Sequence, residues 1–153
     1  LALQELNEHQ EALDAFSKAT TLSGNVHEAW NYKGYVFEEI GKQQEALDAY
    51  DKAIQIKPDF VIAFNNKGLL QDTMGNHLEA IETYNKALTI KPDLDIAWFN
   101  KACAEALLSN KEGALSSLKK AIELNQSFKR IARTNPDFSK IKDDPDFINV
   151  VGN

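Results

Sequence analysis

Apolar residues recur along most of the chain at the three- and four-residue spacing of amphipathic helices, with short polar breaks between the segments. In residues 27–40, for example, Trp30, Gly34 and Phe37 fall on one helical stripe. The next segment ends at Pro58, which cannot continue a helix. The pattern predicts helices over residues 1–6, 9–22, 27–40, 44–57, 61–74, 78–91, 95–108 and 112–125.

The predicted helix pairs repeat with a period of 34 residues. Eight of the fourteen residues in 45–58 recur at the matching positions of residues 79–92. Gly34, Gly68 and Ala102 keep the same register, at a position where paired helices must approach closely. One such unit cannot bury its own apolar face, so a fixed period of this length predicts a stacked array of units.

Two features of the period are typical of a known family. An aromatic residue stands four positions before a glycine, an alanine–tyrosine–alanine–proline series follows, and both features occur twice. The residues that carry them are Trp30, Gly34, Ala46, Tyr50, Ala53 and Pro58, with Phe64, Gly68, Ala80, Tyr84, Ala87 and Pro92. Over about residues 1–128 the chain therefore resembles tetratricopeptide repeat proteins.

The resemblance implies an all-α fold, a right-handed solenoid of antiparallel helix pairs with about 3.5 repeats and C-terminal capping helices. The expected divisions are a partial repeat over residues 1–26, repeats over residues 27–60, 61–94 and 95–128, and a cap or tail over residues 129–153. Because the chain begins without Met and within a helical pattern, we expect it to be part of a longer protein.

Residues 127–153 lie outside the repeat and contain a short internal echo. A helical turn or two is predicted over residues 127–133. Asparagine then precedes Pro136, aspartate precedes Pro145, and a polar N-cap followed by proline is a favourable helix start. The apolar residues expected to cover the exposed end of the last repeat are Phe138, Ile141, Phe147, Ile148 and Val151. The alternative is that this segment docks onto another chain.

The composition indicates an ordered, soluble chain, because 43% of the residues are hydrophobic and 26% are charged. No apolar run approaches the roughly 20 residues that span a bilayer, and the first residues do not form a signal peptide. Cys103 is the only cysteine, so an internal disulfide is excluded, and we expect a reducing, cytoplasmic location.

The charge is unevenly distributed along the chain. Residues 1–118 contain 10 basic and 18 acidic side chains, whereas residues 119–142 contain 7 basic and 2 acidic ones. The basic stretch has a nucleic-acid interpretation, but the net charge of −6 and the lack of a nucleic-acid-binding motif argue against it. We favour an electrostatic contact between the basic end and the acidic face of another copy, or of an acidic partner.

The sequence contains no recognisable catalytic or metal-binding motif. His9, His27 and His77 stand at or near helix starts without partners at ligand spacing. The adjacent acids Glu38 and Glu39 point apart on a helix, whereas paired catalytic carboxylates must converge. We therefore expect a protein that is not an enzyme and that binds no cofactor or metal.

The resemblance implies a protein-binding groove, because in such arrays the first helix of each repeat lines a concave face that holds an extended peptide or a partner helix. The residues expected in this groove are Asn31, Tyr35, Glu38, Asn65, Asn66, Leu69, Asp72, Phe99, Asn100, Cys103 and Leu107. Asparagine amides can bond both the N–H and the C=O groups of an extended backbone. Asn66 and Asn100, 34 positions apart, are expected to form a short ladder with Asn31 and Asn65 beside it. Tyr35, Leu69, Phe99 and Leu107 would supply apolar anchors. The alternative is that the amides only link neighbouring helices.

A carboxylate clamp for an acidic peptide terminus is not expected. Family members with that clamp carry Lys or Arg at positions that match Asn31, Tyr35, Ile96 and Asn100, and none of these four residues is basic. The sequence therefore predicts a protein-interaction scaffold with a protein or peptide partner. Two alternatives stay open, namely homo-oligomerisation through the array ends and a targeting role for a larger enzyme or sensor.

Overall fold

The computed structural model describes residues 26–152, and every regular element in this part of the chain is helical. The elements in chain order are α1 (Val26–Glu39), α2 (Gln43–Ile56), α3 (Val61–Thr73), α4 (His77–Ile90), α5 (Asp95–Leu107), α6 (Lys111–Leu124), α7 (Phe128–Thr134), a 3-10 helix (Pro136–Phe138) and α8 (Pro145–Val151). The predicted all-α class is thus confirmed. The helices predicted over residues 1–6 and 9–22 lie outside the described residues.

The described residues form two compact units, residues 26–70 and residues 71–152, which are described separately. In the first unit α1 packs on α2, and the turn between them contains Gly41 with a left-handed φ of +76°. Gly34 of α1 meets the buried ring of Tyr50 on α2, and a β-carbon at Gly34 would lie 2.6 Å from that ring. The close approach therefore requires the small residue that the repeat pattern places there.

An apolar cluster joins α1 to the start of α3 within the first unit. Ala53, Phe60 and Ala63 are its buried members, and Trp30 of α1 packs against them. The ring of His27, also on α1, meets Phe60 edge-on with the centroids 4.8 Å apart. These contacts hold the first helices of two successive predicted repeats side by side.

In the second unit α4 packs on α5, and α5 packs on α6. A buried hydrogen bond recurs in this unit at matching positions of two repeats. Thr83 donates to Gln71 over 2.7 Å, and Ser117 donates to Glu105 over the same distance. Both donors and both acceptors are 34 positions apart, so the 34-residue period extends from apolar positions to a polar contact.

The C-terminal segment packs on α5 and α6. Phe128 stacks on Phe99 with ring centroids 4.5 Å apart, and Phe138 meets Phe99 edge-on at 6.0 Å. The apolar cap residues that become buried are Phe138, Ile141, Phe147 and Val151. Ile148 differs from the expectation and is 38% exposed, because it follows Phe147 by one position and leaves the packed side of α8.

Both short C-terminal elements begin at the polar residues that the sequence indicates. Asn135 Oδ1 accepts from the Asp137 N–H at 2.8 Å, and Asp144 Oδ1 accepts from the Asp146 N–H at 2.9 Å. Lys111 Nζ donates to Asp144 at 2.9 Å and to Asp146 at 3.3 Å. The hydrogen bond from Lys111 lowers the pKa of the Asp144 carboxyl, and the pair joins the start of α6 to the start of α8.

Candidate functional site

A cavity of about 420 Å³ opens in the first unit, between α1 and the start of α3. The resemblance places the peptide-binding face on these helices, since each is the first helix of a predicted repeat. The residues that line the cavity are Glu28, Asn31, Tyr32, Tyr35, Phe60, Ile62 and Asn66. Three of the expected groove residues, Asn31, Tyr35 and Asn66, therefore meet at one place.

Three of the lining residues form a stripe along α1. Glu28, Tyr32 and Tyr35 stand at positions i, i+4 and i+7, which places them on one helical face. Tyr32 and Tyr35 are 54% and 52% exposed, and Ile62 of α3 is 52% exposed. Half-exposed aromatic rings near an aliphatic side chain offer an apolar contact surface to a ligand.

Two asparagine amides bond to each other in this cavity. Asn66 Nδ2 donates a hydrogen bond of 3.1 Å to Asn31 Oδ1, and Asn31 is only 6% exposed. This bond links neighbouring helices, as the alternative interpretation of the asparagines requires. Two amides together carry four N–H donors and two carbonyl acceptors, and the bond between them uses one of each kind. A link between helices is therefore compatible with a further bond to a ligand.

Glu38, another expected groove residue, belongs to the contact between α1 and α2. The Tyr50 hydroxyl donates a hydrogen bond of 2.9 Å to Glu38 Oε2. Partial burial raises the pKa of the Glu38 carboxyl, while the hydrogen bond from Tyr50 acts in the opposite direction. Burial also raises the pKa of the Tyr50 hydroxyl, and the charge of Glu38 adds to this effect. Glu38 thus stabilises the helix pair.

Two expected groove residues on α5 are covered by the chain itself. Phe99 and Cys103 are each 5% exposed. Phe128 and Phe138 contact the Phe99 ring, and Asn135 Nδ2 donates to Cys103 Sγ over 3.5 Å. The expectation that Phe99 and Cys103 line an open groove is not met, because the C-terminal segment packs on that side of α5.

Two further expected groove residues have partners within the second unit. The Asp72 carboxylate forms a short hydrogen bond with His77. Burial raises the pKa of the Asp72 carboxyl, and the bond to His77 opposes that shift. The backbone carbonyl of Leu107 accepts a hydrogen bond of 3.3 Å from Lys140. These contacts identify structural roles for Asp72 and for the Leu107 backbone.

The last three expected groove residues differ in exposure. Leu69 is exposed on α3, Asn65 and Asn100 are half-buried, and all three have contacts of their own. A ladder longer than the bonded pair of Asn31 and Asn66 stays a prediction.

Four lining residues, Glu28, Phe60, Tyr32 and Ile62, are absent from the eleven groove residues expected from the sequence. The i, i+4 relation between Glu28 and Tyr32 is a signal that could have identified the first. Phe60 carries no such signal, because it precedes α3 and reaches the cavity through the apolar cluster.

The two histidines in the described part of the chain take part in packing and polar contacts. His27 packs on Phe60, and His77 bonds to Asp72. Within residues 26–152, no group of His, Cys, Asp and Glu side chains is arranged to hold a metal ion. Nor does this range contain a helix long and apolar enough to cross a membrane.

Paired helices, a 34-residue period and a cavity on successive first helices define a helical-repeat protein. The sequence profile of the tetratricopeptide repeat matches residues 27–60 and 61–94, and a second profile of this repeat matches residues 96–128. The chain belongs to the tetratricopeptide repeat family. The resemblance seen in the sequence is thereby confirmed.

Solved structures of similar fold include two crystal structures of MamA. One is 28% identical, covers 83% of this chain and 74% of the MamA chain, and has a TM-score of 0.71. The other is 29% identical, covers 80% and 67%, and has a TM-score of 0.68. The first tetratricopeptide domain of Spaghetti (RPAP3), bound to an HSP90 peptide, is 19% identical over 76% of this chain and 86% of its own, with a TM-score of 0.64. That last likeness concerns the fold alone.

No curated protein sequence matches the chain significantly. The family and the fold nevertheless assign a general role. Tetratricopeptide repeat proteins are helical solenoids that generally act as non-enzymatic scaffolds, and membership of this family supports a protein-interaction scaffold role for the chain.

Proposed function

We propose that the cavity on α1 and α3 holds an extended segment or a helix of a partner protein. The observation that carries the proposal is a half-exposed apolar surface, formed by Tyr32, Tyr35 and Ile62, around a hydrogen-bonded amide pair. Apolar side chains supply contact area, and amides supply bonds to a peptide backbone. The cavity of about 420 Å³ also falls within the roughly 300–1,000 Å³ of known ligand sites.

The amide pair can supply hydrogen bonds that a bound peptide segment needs. A peptide that leaves water must find new hydrogen bonds for its N–H and C=O groups. Asn66 is half-buried and Asn31 is buried, so Asn66 is the amide that a ligand reaches first. Asn31 then holds Asn66 in position through their 3.1 Å bond.

The apolar side chains that line the cavity can supply binding affinity. A few aromatic or aliphatic anchors usually contribute most of the binding free energy at a protein interface. Tyr35 and Ile62 stand on different helices and both line the cavity. A ligand side chain inserted between α1 and α3 would be desolvated by both.

In the second unit, Asn100 and Leu107 stay candidate contacts for a partner. Phe99 and Cys103 do not, because both are buried beneath the C-terminal segment. Leu69 remains a candidate in the first unit, since it is exposed.

The proposal is tested by first finding a peptide ligand on a peptide array and then comparing two isoleucine variants. Ile62→Ala changes a side chain of the cavity that is 52% exposed, and Ile56→Ala changes a comparable side chain, 41% exposed, outside the cavity. We expect Ile62→Ala to weaken binding of the selected peptide about fivefold to tenfold and Ile56→Ala to leave it unchanged.

Asn66→Ala tests the amide pair in the same assay. We expect a loss of about 1–2 kcal/mol in binding free energy, since a bond to a buried backbone group would be lost. Urea unfolding of the variant controls for the lost bond to Asn31. Equal affinities of wild type, Ile62→Ala and Asn66→Ala for a verified peptide would place the ligand elsewhere.

A second candidate function is self-association through the basic end. Arg130 and Arg133 of α7 are exposed, and Ile131 between them is 40% exposed. A basic surface with an apolar centre suits an acidic partner surface, including one on another copy. Sedimentation equilibrium at low and high salt tests this candidate, which predicts a dimer that salt dissociates and that Arg130→Glu weakens. A monomer at both salt concentrations would exclude it.

A further inference from the structure

We propose that the cavity on α1 and α3 selects a cationic side chain of the partner segment, with arginine preferred. The inference rests on the proposed function, because it assumes that a peptide occupies this cavity. It adds the chemistry of the residue that the cavity recognises.

The charge of the lining supports a cationic ligand. Glu28 supplies a carboxylate whose side chain is 49% exposed. Among the described residues that line the cavity, none is Lys or Arg. An incoming cation therefore meets a lining of negative charge, whereas an acidic side chain is repelled by Glu28.

The aromatic stripe supports the same ligand by a second route. Tyr32 and Tyr35 follow Glu28 on one face of α1, and about half of each tyrosine is exposed. Cations are attracted to the faces of aromatic rings within roughly 6 Å of the ring centre. A cationic group beside this stripe can contact an aromatic ring and the carboxylate together.

The planar guanidinium of arginine fits this arrangement better than an ammonium group. It stacks flat on an aromatic ring and offers several N–H donors along its edge to a carboxylate. Lysine side chains of this chain already lie over rings, with Lys33 Nζ 4.8 Å from the Trp30 ring centre and Lys101 Nζ 5.2 Å from that of Trp98.

Two groups near the cavity act against the proposed preference. The imidazole of His27 already lies 4.0 Å from Glu28 Oε1. Lys57 Nζ lies 5.7 Å from the ring centre of Phe60, a lining residue. Its charge offsets part of the field of Glu28, so the preference depends on direct contact with the carboxylate and the tyrosines. We therefore expect the preference for arginine to persist at high salt, where long-range electrostatic attraction is screened.

The experiment compares four peptides, acetyl-Ser-Gly-Leu-X-Leu-Gly-Ser-amide, in which X is arginine, citrulline, norleucine or glutamate. Citrulline has nearly the shape of arginine without its charge. Binding to the 153-residue chain is followed by nuclear magnetic resonance, through the side-chain amide signals of Asn31 and Asn66. We expect the arginine peptide to bind about fivefold more tightly than the citrulline peptide and the glutamate peptide to bind most weakly.

Two matched variants identify the source of the preference. Glu28→Gln should reduce the arginine-to-citrulline ratio to less than about twofold, since it removes the carboxylate and keeps the shape. Glu39→Gln alters an exposed carboxylate of α1 outside the lining and should leave the ratio unchanged. Equal loss in both variants would indicate general attraction and overturn selection by the cavity.

The remaining outcomes separate the two proposals. If all four peptides shift the amide signals with equal affinity, the cation preference is overturned and the proposed peptide-binding function stands. If none shifts them, both proposals fail at this cavity. If the signals shift on raising the protein concentration alone, the occupant is a second copy of the chain, and a separate cationic partner is excluded.

Discussion

Tyr50 and Tyr84 occupy the same position in successive repeats, yet their hydroxyl groups differ in hydrogen bonding. The Tyr50 hydroxyl donates a 2.9 Å hydrogen bond to Glu38, whereas the buried Tyr84 hydroxyl finds no partner among the described residues. Asp72 stands 34 positions after Glu38, but its side chain is one methylene shorter. The Asp72 carboxylate bonds to His77 instead. One repeat therefore satisfies a polar group that the next leaves unsatisfied.

This difference predicts opposite effects of the same substitution. Tyr84→Phe removes a buried hydroxyl without a partner and should leave the free energy of unfolding unchanged or raise it by about 1 kcal/mol. Tyr50→Phe leaves the half-buried Glu38 carboxylate without its donor and should lower that free energy by about 1–2 kcal/mol. Urea unfolding followed by circular dichroism measures both, and equal losses in the two variants would contradict the comparison.

The raised pKa of Glu38 predicts a dependence of stability on pH. The folded state holds the Glu38 proton more tightly than the unfolded chain, because burial disfavours the carboxylate. The group therefore favours folding most below its ordinary pKa of 4.5, and that contribution is lost as pH rises through the folded-state pKa. Glu38→Gln keeps an oxygen for the Tyr50 hydroxyl and should remove this loss.

The measurement is urea unfolding of wild type and Glu38→Gln at a series of pH values from about 4 to 8. The difference between the two chains isolates Glu38 from groups of opposite sign. Asp144 is such a group, because its lowered pKa gives a contribution that is present above its ordinary pKa and is lost in acid. A difference between the chains that stays constant across this range would contradict the assignment.

The helix pairs could be predicted from the sequence because local signals specify them. The helix predicted over residues 44–57 is found at Gln43–Ile56, where an apolar stripe ends next to Pro58. The contact of Gly34 with Tyr50 also follows from the repeat, which places a small residue on one helix and a large one on its partner. Most of the fold could therefore be predicted from the hydrophobic periodicity and the turn residues.

The same local signals could not show which part of the predicted groove is covered by the chain itself. Phe99 and Cys103 fall on the expected face of α5, but whether that face is open depends on how residues 127–152 fold back. That packing joins parts of the chain distant in sequence, and no local pattern specifies it. The bond between Asn31 and Asn66 is a similar case, because the amide spacing fits a ligand ladder and a helix–helix link equally well.

A loop position predicts a stabilising substitution. Gly41 and Gly75 have φ of +76° and +83°, and Ser109, the next residue in this 34-residue series, has φ of +61°. A residue with a β-carbon is strained in this region, whereas glycine is not. Ser109→Gly should therefore raise the free energy of unfolding by about 0.5–1 kcal/mol, measured by urea unfolding.

Ser109→Ala is the matched control, because it removes the hydroxyl that accepts a 3.2 Å bond from Lys140 and keeps the β-carbon. We expect this variant to be no more stable than wild type. The gain in Ser109→Gly would then come from the backbone conformation alone. Equal stabilities of the glycine and alanine variants would show that the left-handed φ imposes no strain.

The packing of the C-terminal segment over Cys103 leads to a prediction about the reactivity of this thiol. Phe138 is buried against Phe99 and Phe147, so Phe138→Ala should cost about 3–5 kcal/mol of unfolding free energy. Cys103, the single thiol, lies under the same segment, and burial raises its pKa. Because opening this segment exposes the thiol, Phe138→Ala should also accelerate labelling of Cys103 by Ellman's reagent.

Ile148→Ala provides the control, since Ile148 lies in the same segment but is 38% exposed. It should cost less than about 1 kcal/mol and leave the labelling rate of Cys103 close to that of wild type. Circular dichroism without denaturant checks that both variants are folded under the labelling conditions, so that faster labelling of a folded Phe138→Ala chain reports local opening. Unchanged labelling in a destabilised Phe138→Ala chain would mean that Cys103 is protected by α5 and α6 alone, and that the C-terminal segment does not control access to this face.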